Sequence, residues 1–197
     1  MGRHVRWQAV ITLLGILLLG ALLSYTAYNL PSAFAPARGG TYIEGVAGSP
    51  QYINPLLGHF NEVDRDLVTL LFNGLTTLDE RGAVVPDLAT RWEVSSDGRV
   101  YTFYLRDDVR WHDGAPFTAD DVVFTVGVMQ SPDFSLAPWL SSLWQSIKVE
   151  KVDDFTVRFT LDEPFTPFLD HTTIGILPAH LWSRYQINEL NNATLNT

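Results

Sequence analysis

The chain has 197 residues, 46% of them hydrophobic and 18% charged, enough for one to two domains with a substantial core. Thirteen Lys and Arg stand against 22 Asp and Glu, and the first thirty residues, which hold Arg3 and Arg6 but no acid, leave 11 against 22 for the remainder. Such a surface repels phosphate backbones and argues against nucleic acid as a partner. Cysteine is absent, which excludes disulfides, thiolate metal sites, thiol nucleophiles and the lipid-modified cysteine of a bacterial lipoprotein.

Residues 7–30 form an apolar run without a charge, close to the ~20 residues that cross a bilayer as a helix. Arg3 and Arg6 assign its leading end to the cytoplasm, with Tyr25 and Tyr28 where interfacial aromatics belong. A retained anchor and a cleaved signal peptide compete here. "AFA" at 33–35 resembles a cleavage site, but Pro36 would follow the cut and the site lies far beyond the Leu-rich run, so 1–30 is read as a transmembrane anchor or signal segment, with the anchor preferred. Residues 31–40, rich in Pro, Ala and Gly, read as a linker.

From Thr41 the pattern turns globular. "TYIEGVA" suits a strand, and Pro50, Pro55 and Gly58 break the next residues into a loop. "NEVDRDLVTLLFNGL" then places Val63, Leu67, Leu70 and Leu71 on one helical face, with acids in the first turn. Two hairpins come next, one turning at 80–82 and one at 96–98, the second with Tyr101, Phe103 and Leu105 on one face. "FTADDVVFTVGVMQS" is a helix whose start is written in, Thr118 and Asp121 forming a capping box. A partly helical stretch through Trp139 precedes a further hairpin turning at Asp153 and Asp154, with Val157, Phe159 and Leu161 on one face. A short helix and an apolar strand over 173–177 complete the order, and few residues remain downstream to pair with that strand, so the chain reads as a fragment.

Little in the sequence points to catalysis. None of His59, His112, His171 and His180 stands at helical i, i+4 spacing for a metal, and neither a nucleophile elbow nor a phosphate-binding glycine loop occurs. The conspicuous run "RDDVRWHDGAPFTADD" carries acids beside an imidazole, yet its acids have local structural roles. Asp120 and Asp121 serve a helix start, and Asp113 with Gly114 makes a turn. No catalytic residue, metal ligand or cofactor is assigned.

The pieces "PDLATRWEVSSDG", "YTFYLRDDVRWHDGAPFTADDVVFT", "EPF" and "ILPAHLW" occur in order over 86–182, the most telling part of a match that runs over about 40–182. Together they resemble the N-terminal region of the family 5 extracellular solute-binding proteins, the peptide, dipeptide and nickel binders of ABC importers. The resemblance implies an α/β fold of the class II periplasmic-binding-protein kind, two lobes closing on a ligand. In those terms 41–50 is the first strand of the main lobe, 51–172 an extra small α+β domain, and 173–197 the truncated return to the main lobe. It also implies that the loop of Leu57, Gly58, His59, Phe60 and Asn61 faces the ligand and that Trp139 offers it an aromatic surface. The partners implied are a peptide or other small solute and an ABC permease, with the membrane engaged through the N-terminal helix on the extracytoplasmic face. Peptides, nickel complexes, oligosaccharides and opines all remain open as ligands. A tethered peptide sensor or chaperone-like domain, and a hydrolase using Asp113 or His112, are the alternatives.

Overall fold

The computed structural model describes residues 2–29, 40–41, 43–135 and 137–196, and the chain divides into two compact units, 1–45 and 46–197. The first holds helix α1, Gly2–Asn29, whose described side chains, at 7–8 and 11–26, are all exposed. Among the described residues no helix is long and apolar enough to cross a membrane. The expected linker, apart from Gly40, lies outside the described residues.

The strand expected at 41–50 does not form over 43–50, where Ile43 is 88% exposed. A strand exists by pairing its backbone groups with a neighbour. Among the described residues none pairs with this segment.

In the second unit, a loop and a short turn at Gly58–Phe60 lead into α2, Glu62–Leu71. Strands β1, Thr76–Leu78, and β2, Val84–Pro86, form a small hairpin that turns at Gly82, in the left-handed conformation glycine tolerates. The main sheet contains β3, Ala89–Val94, β4, Val100–Leu105, β5, Ile147–Asp153, and β6, Thr156–Leu161, in the order β3-β4-β6-β5, antiparallel throughout. Between its hairpins lie α3, Ala119–Gln130, and α4, Pro138–Trp144; α5, Phe168–His171, and α6, Ala179–Trp182, come after the sheet.

The alternation read in the sequence sets the core. Tyr101, Phe103 and Leu105 of β4 and Val157, Phe159 and Leu161 of β6 are buried on one face, with Phe103 opposite Val157 and Tyr101 opposite Phe159. Phe159 meets Phe103 edge-on at 5.5 Å and packs against Trp144 and Phe168, while Val122, Val126 and Met129 of α3 complete the cluster. Helix α3 starts with the expected capping box: Thr118 accepts at its side chain, and Asp121 Oδ2 accepts from Thr118 N–H at 2.9 Å.

Two expectations differ from the observed packing. Leu70 and Leu71 of α2 are exposed, whereas Asp64 is fully buried, because the carboxylate is needed inward by the preceding loop. The apolar stretch 173–177 forms no strand; its groups bond individually, Ile176 N–H to the Asn73 carbonyl and Leu177 N–H to Thr125 Oγ1, and both side chains are buried. Ile176 and Leu177 are thus buried without a strand pairing, while Thr173 and Ile174 remain partly exposed, and 173–196 shares one compact unit with 51–172.

Candidate functional site

Several side chains of the run 106–121 make local structural contacts. Arg106 forks onto Asp108 with two bonds of 2.9 Å, and Trp111 Nε1 donates to Asp121 Oδ2 at 3.2 Å. The other oxygen of Asp121 accepts from Ala179 N–H at 2.8 Å, and Asp113 meets His180 Nε2 at 2.7 Å. The hydrogen bond from His180, and then the amide of Ala115, hold the Asp113 carboxyl below the usual aspartate range. These contacts fasten the turn at 111–114 and the head of α3 to 177–180. Among the described residues no group of three or more His, Cys, Asp or Glu side chains could hold a metal ion.

The other expected residues come together. His59 and Phe60 lie ring to ring at 4.3 Å, and His59 and Trp139 meet at 5.3 Å between ring centres in a perpendicular arrangement, across 79 intervening positions of sequence. Tyr52, which sequence reasoning did not select, joins the group with its ring 5.7 Å from Phe60. Trp139 is 63% exposed and Phe60 50% exposed, so the rings present a continuous aromatic surface to solvent. Partial burial lowers the His59 pKa from the ordinary histidine value, with a hydrogen bond to the Leu56 backbone acting in the opposite sense, so the environment favours the neutral imidazole.

Gly58 and Asn61 serve differently. A Cβ on Gly58 would stand 2.7 Å from Val68 Cγ2, so only glycine lets the turn approach α2 this closely. Asn61 caps α2, its Oδ1 accepting from Asp64 N–H at 2.8 Å and its Nδ2 donating to Asp64 Oδ2 at 2.7 Å. Asp64 also accepts from Gln51 N–H at 2.7 Å and Tyr52 N–H at 2.9 Å. Before the fold is known, the only trace of this carboxylate is an acid in the first turn of a helix, which every helix start favours.

Residues 83–193 match the family described as bacterial extracellular solute-binding proteins, family 5, middle region. The chain belongs to this family. The family 5 chain is 36% identical over 139 residues to the dipeptide-binding protein of Escherichia coli, a match covering 62% of the chain and 26% of that protein. It is 32% identical over 168 residues to the oligopeptide-binding protein AppA of Bacillus subtilis, covering 84% and 30%. Among solved structures, NikZ of Campylobacter jejuni in complex with Ni(L-His) aligns with a TM-score of 0.67 at 39% identity, over 77% of this chain and 29% of that one. AppA bound to a nonapeptide aligns at 0.68 with 30% identity, over 77% and 30%. The α/β fold is that of family 5 proteins, and the chain spans about a quarter to a third of the relatives it matches.

Proposed function

We propose that this chain contributes part of one lobe of an extracytoplasmic substrate-binding component of an ABC importer, which takes up peptides or similar small solutes between two lobes. One observation carries the reading: in a fold whose named relatives are binding proteins, Phe60, His59 and Trp139 are assembled into one exposed aromatic surface. Flat rings give contact area at small cost in side-chain entropy, and a neutral imidazole adds a hydrogen-bonding edge without a fixed charge. Such a surface suits peptides of varied side chain. Capture would proceed by closure of the two lobes around the solute, a shift of population toward the closed form that then docks on the permease. No bond is made or broken in this scheme, so no residue is given a catalytic role.

On this reading, 51–172 is the family's extra domain and 173–197 leads back to the main lobe. The apolar N-terminal helix holds the domain on the outer face of the membrane, with Arg3 and Arg6 inside.

Titrating a defined set of tripeptides into isotopically labelled full-length chain tests the site by nuclear magnetic resonance. Shifts concentrated at His59, Phe60 and the Trp139 indole, and lost in Trp139→Ala, are expected. Weak binding is the expected outcome, because the chain spans only about a quarter to a third of the relatives it matches. An absence of shifts at these residues at millimolar peptide, or shifts confined elsewhere, would refute the assignment.

A further inference from the structure

Asp64 is fully buried at the start of α2, and its three hydrogen-bond donors are all N–H groups from the loop that precedes the helix. Among the described residues no Lys or Arg pairs with it. A buried carboxylate without a counter-cation is tolerable only where donors converge on it, and here the free amides of a helix start contribute as well. The geometry is specific. One oxygen takes Gln51 N–H, the other takes Tyr52 N–H and Asn61 Nδ2, so a single carboxylate ties together both ends of the segment 51–61. Both tied ends bear on the aromatic surface: Tyr52 packs on Phe60, and Phe60 and His59 immediately precede Asn61.

We propose that Asp64 is the positioning residue of this surface, its buried carboxylate closing the 51–61 loop so that Phe60 and His59 are held against Trp139. The assignment of a ligand to that surface rests on the function proposed above; the ring geometry does not, and it can be followed without any ligand. Asparagine at position 64 retains the shape of the side chain but replaces one acceptor oxygen with a donor, so an N–H of the loop faces an N–H. The loop then loses a tie while the sheet and the aromatic core around Phe159 are untouched.

The test uses the fluorescence of Trp139 in the full chain, taken as the difference between each protein and the same protein carrying Trp139→Phe. A protonated imidazole held against an indole quenches it, so wild-type emission should fall as pH drops through the lowered pKa of His59, and His59→Gln should abolish the step. In Asp64→Asn the step should lose half its amplitude or more, and its midpoint should rise toward that of an exposed histidine. Asp121→Asn, which alters a buried carboxylate at the head of α3, should lower the melting temperature and leave the step intact. Asn61→Ser retains a cap for α2 but removes the Nδ2 bond, and should weaken the step in the same sense even if Asp64→Asn does not fold. The proposal is overturned if wild type shows no His59-dependent step. It is equally overturned if Asn61→Ser, or a folded Asp64→Asn, leaves the step unchanged. Failure of tripeptides to bind wild type would remove the function reading alone.

Discussion

Asp113 and Asp121 lie eight positions apart in one acidic run and both reach the first turn of α6, but by different means. Asp121 is buried and serves backbone and indole donors, whereas Asp113 pairs with His180 near the surface. The pairing depresses the Asp113 pKa, so the folded state binds its proton less readily than the unfolded chain does. Stability from this contact is therefore present above the ordinary aspartate value and is lost as pH falls through the lower folded value. Asp113→Asn should melt below wild type at neutral pH, and the gap should close in acid beneath the folded value, as thermal scans across the acid range would record. A gap that persists unchanged into strong acid would mean that the contact acts through shape and not through charge.

At the level of elements, the hairpins, the capped α3 and the alternation of β4 and β6 were legible because each is written in adjacent residues: turn dipeptides, a capping box, period-two burial. Helix α2 was legible in position but not in face, since Asp64 turns inward for a loop that no periodicity describes. The stretch 173–177 misled for a related reason: apolar composition signals burial and does not say whether the backbone is paired in a sheet. Its neighbour Gly74 shows how close the packing is. A Cβ there would stand 2.6 Å from the carbonyl group of Thr173, which is backbone and cannot rotate away. Gly74→Ala should cost about 1–3 kcal/mol by overpacking. Chemical denaturation should register this as a lower midpoint with an unaltered slope. A midpoint equal to wild type would show that the 172–175 backbone yields readily.

For the whole molecule, the aromatic surface was the least legible feature, because Trp139 and the pair His59 and Phe60 are far apart in sequence and no local pattern connects them. Only resemblance to a family selected them, whereas Tyr52 and Asp64, which complete and fix the surface, had no signal of their own. The larger organisation leads to a further expectation. Every buried residue of the described core, from Leu56 onward, lies within 46–197, and the last stretch of the chain is integrated there through the Ile53 N–H bond to the Asn196 carbonyl and the burial of Leu190 and Ala193. A domain of this size with one contiguous core unfolds as a single cooperative transition. A chain beginning at Val46 should therefore melt in one step, at a midpoint within a few degrees of the full protein held in detergent, as calorimetry would measure. Two separated transitions would place a boundary inside 46–197, the position near 172 being the one the family resemblance marks. A melted baseline at room temperature would assign residues 1–45 a share in the fold's stability.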